Sequence, residues 1–153
     1  MNMKKWFRVL PLCAALLPLA AHAESFDFSW LKKGAISESC YHTPCSMAKV
    51  VSFENQGDFG GGVSLELELL DGERHSGRDP IQWNAKPHKV HVYCSKTKPT
   101  VTMHGDVTHL PLAPQRYLGA LMAHGELYMR ACYSYEGLVE DGAARFGYDL
   151  EDE

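Results

Sequence analysis

Four cysteines pose the first chemical question: Cys40 and Cys45, which bracket Tyr41-His42-Thr43-Pro44, and the distant Cys94 and Cys132. Thiols so placed can ligate a metal, cycle between redox states or close disulfides. A redox pair of the thioredoxin type has two intervening residues at a helix start, where the thiol pKa falls; here four intervene. A metal clasp would set His42 beside two thiolates, which requires a reducing compartment.

The N-terminus bears on the compartment. Residues 1–8 carry Lys4, Lys5 and Arg8 with no acid, an apolar run follows from Val9 to Ala21, and Ala21-His22-Ala23 places small residues where a signal peptidase reads. This is the pattern of a secretory signal peptide over residues 1–23. The apolar run falls short of the roughly 20 residues that span a bilayer. Cys13 lies inside the run and leaves with it. The expectation is a single exported α+β domain over residues 24–153, cleaved near Ala23, periplasmic or secreted, with no membrane anchor in the mature chain. Thiols oxidise in such compartments, so the four remaining cysteines read as disulfides. Of the three possible pairings, Cys40–Cys45 with Cys94–Cys132 is favoured, because the Thr43-Pro44 turn already holds the first pair close.

Seven of the eight histidines fall after the leader. His88 and His91 are three apart, which on a strand sends them to opposite faces. His104, Asp106 and His109 straddle a turn and form the best metal candidate, but they match no recognised ligand pattern, so no metal and no cofactor is assigned. Nucleophilic catalysis has no G-x-S-x-G elbow to support it. Glu66 and Glu68, with His91, could serve an enzyme acting on cell-envelope material through residues scattered in sequence. Their simpler reading is the outward face of an amphipathic strand. The Phe59-Gly60-Gly61-Gly62 stretch lacks the lysine of a phosphate loop.

Charge excludes one class of partner. The whole chain carries −4; without the three leader cations, twelve basic residues face nineteen acids, for −7. Nucleic-acid binding rests on neutralising phosphates, and this balance argues against it. Lys86, Lys89, Lys96 and Lys98 crowd a segment free of acids, with His88 and His91 among them, while residues 136–153 carry seven acids against Arg145 alone. Such polarity steers complementary partners, docks internally or simply faces water. Trp83, Lys86, Lys89, His91, Lys96 and Lys98 are the candidate partner-binding residues, the tryptophan as an interfacial anchor.

The elements that must position these groups follow from period. Phe26, Phe28 and Trp30 alternate with polar residues, as in a strand, although Ser25 could equally cap a helical turn. Residues 46–54 read as a strand, the rival being a helix capped by Thr43 with Pro44 at its first position; residues 55–62 read as a glycine-rich loop, and residues 63–70 as the clearest strand, with Val63, Leu65, Leu67 and Leu69 on one face. Residues 71–86 read as a long surface loop. Val90, Val92 and Cys94 mark one face of a further strand, and Val101 and Met103 another. From Gln115 onward the spacing becomes three and four, predicting one helix over residues 115–135; the rival is a break at Gly125 followed by a strand. The acidic tail is expected to fray. The fold expected is α+β: a mainly antiparallel sheet of four to five strands with one helix in the C-terminal half, stapled by two disulfides. A small stapled scaffold with no assembled catalytic set suits recognition: a non-enzymatic exported binding protein, such as an inhibitor or immunity-type protein engaging another protein. The alternatives are the envelope-acting enzyme and a metal-binding periplasmic protein.

Overall fold

The computed structural model describes residues 25–151, so the leader read over residues 1–23 lies outside the described residues. Seven strands form one antiparallel sheet: β1 (Ile36–Ser39), β2 (Cys45–Phe59), β3 (Gly62–Arg74), β4 (Gln82–Trp83), β5 (His88–Cys94), β6 (Thr100–Met103) and β7 (Asp106–His109). Their order is β1-β2-β3-β5-β6-β7, with β4 paired to the far end of β3. A 3-10 turn (Gly119–Leu121) leads into α1 (Met122–Tyr133), and α2 (Val139–Arg145) follows.

The alternation in β3 decides which face is buried. Leu65, Leu67 and Leu69 are at most 1% exposed and share rungs with Val92, Val90 and His88 of β5. Helix α1 covers this face with Leu127, Tyr128, Met129, Ala131 and Cys132. Burial at this scale, about 25 cal/mol per Å² of apolar surface, drives the sheet and helix together. Both expected disulfides form: Cys40–Cys45 closes a five-residue separation, and Cys94–Cys132 ties β5 to α1 at a Cα distance of 5.6 Å.

The sheet is larger than the sequence predicted. β2 and β3 run through the stretches read as loops, and the reversal narrows to Gly60 and Gly61, both with positive φ. Two such residues suit the turn whose twist matches the strands. β1, β4 and β7 are two to four residues long, too short for a periodic signal to register. The stretch read as a long loop over residues 71–86 is therefore strand to Arg74 and again at Gln82–Trp83.

The expected strand at Phe26–Trp30 is absent. Its burial alternates as anticipated, Phe26, Phe28 and Trp30 being half-buried, but its bonds go to the end of α1 rather than to a strand. Asp27 N–H donates to the Cys132 carbonyl at 2.9 Å, and Ser134 Oγ accepts from Trp30 N–H at 2.7 Å and donates to the Asp27 carbonyl at 3.0 Å. The segment caps α1, satisfying backbone groups that a helix leaves open at its C-terminus.

The single helix predicted over residues 115–135 is shorter, and a second helix follows it. Gln115, seven residues ahead of α1, and Ser134, its C-cap, both have positive φ and lie outside the helix. Among the described residues no strand forms after Gly125; instead that glycine admits the neighbours of α1, since a Cβ there would stand 2.4 Å from Leu118 Cδ1 and 3.2 Å from Val139 Cγ1 of α2. The tail, expected to fray, docks as far as Leu150. Tyr148 is 1% exposed, and Leu150 N–H donates to the Leu112 carbonyl at 2.9 Å. Tyr148 Oη lies 2.8 Å from Tyr128 Oη and 2.7 Å from Tyr133 Oη. Burial and these neighbouring phenols push the Tyr148 hydroxyl far above its ordinary pKa. Among the described residues no helix is long and apolar enough to cross a membrane.

Candidate functional site

The outward sheet face holds the charged groups singled out in the sequence. Lys89 Nζ donates to Glu66 Oε1 at 2.7 Å, His91 Nε2 lies 3.7 Å from Glu66 Oε2, and Ser52 Oγ donates to Glu68 Oε2 at 2.9 Å. The hydrogen bond from Lys89 holds the Glu66 carboxyl below its ordinary pKa and raises that of Lys89. His91 and Lys89 reach Glu66, while Glu68 is engaged by Ser52, so the two acids are not paired around a common reacting position. This is a solvated face of short-range charge pairs, worth little individually.

The candidate partner residues are scattered. Lys86 and Lys98 are exposed. Trp83 is half-buried beneath Lys49, whose ammonium stands 4.6 Å from the ring centroid, and its ring fills the space above Gly72. Lys96 turns inward: it donates to the Phe146 carbonyl and lies 4.9 Å from the Tyr148 ring. These contacts hold the C-terminal segment against the end of β5 through a carbonyl and aromatic rings.

The metal trio read from sequence is not gathered. Among the described residues, three-ligand groupings form at Glu38, Cys40 and Cys45 and at Asp71, His88 and His104, not at His104, Asp106 and His109. Asp106 and His109 sit at opposite ends of β7, and His109 Nδ1 is 3.0 Å from Thr100 Oγ1. The first grouping has its two sulfurs joined to each other, which removes the thiolates a metal would need.

Asp71 of the second grouping lines a cavity. Register places Asp71 opposite Ala48, which in turn faces Ser37, and places His88 opposite Leu69, all on the side covered by α1. A cavity of about 300 Å³ opens there between the sheet and Ala123, His124 and Leu127 of α1, with Ser37, Ser39 and Asp71 in its wall. Burial holds the His124 imidazole below its ordinary pKa. Ser39 Oγ and His124 Nδ1 are buried with no hydrogen-bond partner. Arg130 donates to Ser37 Oγ at 3.1 Å and to the Glu38 carbonyl at 3.3 Å, anchoring α1 to β1. A wider cleft of about 660 Å³, walled by Lys98, His109, Leu121 and Leu150, lies at the other edge.

The sequence offered no direct route to Asp71 and His88. The first lies where a loop was read, and the second was weighed as a metal ligand only against His91. The chain matches no protein-family model, no curated protein and no solved structure with which it was compared.

Proposed function

We propose that the chain is an exported, non-enzymatic binding protein that engages another protein, cleaved near Ala23 and working in the periplasm or outside the cell. The observation that carries this reading is the free edge of β2. Beyond the four residues paired with β1, and Val50, which bonds Ala35, the outer edge of residues 51–59 has no strand partner among the described residues. Phe53 and Phe59 are 43% and 75% exposed there. An open edge offers backbone donors and acceptors to an extended segment of a partner, and exposed rings give it side-chain anchors. Two register shifts, at Val50/Ser52 and Asn55/Gly57, bend the edge and oppose self-pairing of identical chains. Register sets Phe53 and Asp58 on the face of Leu67, and Phe59 and Glu54 on the opposite face, so an extended segment paired to this edge meets one ring and one acid on each side and is complementary when it carries apolar and basic residues on both. Two disulfides that tie the scaffold together favour an oxidising compartment.

The test is capture of a partner from envelope extract with the mature chain, repeated with Phe59→Asp and with Lys98→Ala. One partner at equal stoichiometry, lost with F59D and retained with K98A, supports the reading. A partner that F59D retains overturns the assignment of the edge. No partner, together with peptidoglycan degradation by the purified chain, overturns the binding function itself. N-terminal sequencing of native material that begins at Met1 overturns export.

A further inference from the structure

We infer that Asp71, His88 and His104 form a binding site for a borderline divalent cation of the Zn²⁺ type, separate from the β2 edge. Three observations converge. One ligand atom from each residue lies within 4.8 Å of the other two. Asp71 Oδ2 is 2.6 Å from His88 Nε2, and the His88 and His104 rings stack at a centroid distance of 4.5 Å with 20° between planes. Despite that closeness, both His88 nitrogens are buried without an aligned hydrogen bond. A buried imidazole ordinarily has its donor and acceptor satisfied. Two nitrogens without aligned partners, beside a carboxylate, mark a place where the polar groups suit a third party better than each other.

The donor set selects the ligand class. Two imidazole nitrogens and one carboxylate oxygen suit Zn²⁺ and its neighbours, whereas Mg²⁺ and Ca²⁺ prefer oxygen alone. Zinc holds nitrogen at about 2.0–2.1 Å and oxygen at about 2.0–2.2 Å, so two ligand atoms on a tetrahedral ion stand roughly 3.3 Å apart. Reaching that from the present spacing requires the Asp71–His88 pair to open by under an ångström and the His104 ring to turn. His104 is exposed, and that turn meets little resistance. Three protein ligands leave a fourth position for water or for a group presented by another molecule.

The backbone brings the three together from different strands. Asp71 is on β3, His88 begins β5 one rung away on the same face, and His104 occupies the first position of the β6–β7 turn. His104 and Gly105 both have positive φ, 51° and 86°. Asn-Gly is the common choice for such a turn, so histidine stands where a less strained residue would serve the turn alone.

The test is a competition titration of Zn²⁺ alone against a chromophoric chelator, using the disulfide-intact mature chain freed of metal beforehand. Wild type should take up one equivalent. His104→Asn keeps a residue that tolerates the turn and should weaken binding about tenfold or more, and Asp71→Asn likewise, by analogy with the 10–100-fold losses seen for perturbed metal shells. His109→Ala and His91→Ala should bind as wild type. Zn²⁺ should also raise the unfolding temperature of wild type but not of H104N. Uptake below a tenth of an equivalent overturns the inference. So does H104N binding as wild type, which would place the ion on other histidines. Should D71N fail to fold, H104N decides alone. Partner capture through F59D is read independently, so loss of one result leaves the other standing.

Discussion

Replacing Cys94 and Cys132 together by alanine is the sharpest perturbation of this fold. The bridge spans a separation of 38 residues and joins β5 to α1, and both cysteines are fully buried. On the chain-entropy model, closing a loop of that size removes roughly 13 cal/mol/K from the unfolded ensemble, about 4 kcal/mol at 25 °C. Deleting two buried sulfurs leaves small voids that add about 1 kcal/mol each. The loss should therefore be about 4–6 kcal/mol, against a typical total of about 5–15 kcal/mol. The Cys40–Cys45 bridge, with Cys40 exposed and Cys45 half-buried, spans five residues, and the same relation gives it about 2 kcal/mol with little void term. Urea unfolding followed by circular dichroism reads both. With a slope of about 2 kcal/mol/M, the midpoint should fall by roughly 2–3 M for C94A/C132A and by about 1 M for C40A/C45A. Equal losses for the two bridges, or a loss below about 1 kcal/mol for the core pair, would refute the argument from loop length and burial.

Two further outcomes follow from the core. Tyr148→Phe removes the hydroxyl shared by Tyr128 and Tyr133 and should lower stability by about 1–2 kcal/mol at neutral pH. Because the folded state holds Tyr148 protonated above its ordinary pKa, its contribution is complete below about pH 10 and is lost as pH rises beyond it. Wild type should lose about 1 kcal/mol between pH 10 and pH 11 that Y148F does not, in urea titrations from pH 8 to 11; parallel curves would contradict the burial of the phenol. Gly62→Ala would set a Cβ 2.5 Å from the Cys94 carbonyl and 2.8 Å from the Tyr93 ring, so it should destabilise by about 1–3 kcal/mol in the same assay; a neutral result would mean the hairpin shifts freely over β5.

Legibility varied with how locally each feature is encoded. The alternation of Leu65, Leu67 and Leu69 was readable because period two allows only one face to be apolar, and Val90, Val92 and Cys94 repeated it. Phe26, Phe28 and Trp30 show where the same logic stops. Their alternation encoded half-burial correctly, but a strand also needs a partner, and α1 occupied that place. The Gly125 step was ambiguous because a glycine lowers helix propensity whether or not a neighbouring side chain requires the space. Lys96 was placed among the partner-binding candidates with internal docking left open, since nothing near it in sequence announces that the Tyr133 and Tyr148 rings will lie beside it.

By itself, the order of residues determined the disulfide inventory, the buried face of the central strands, the antiparallel character of the sheet and the change to helix in the C-terminal half. Each of these rests on spacing within one segment or on the parity of a residue type. Only the tertiary structure decided that seven strands pair, that the tail returns to the core through Tyr148, and that Asp71, His88 and His104 meet. Those depend on register between strands and on the turn that carries His104, and contact across a sheet is a property of pairing that no single segment contains.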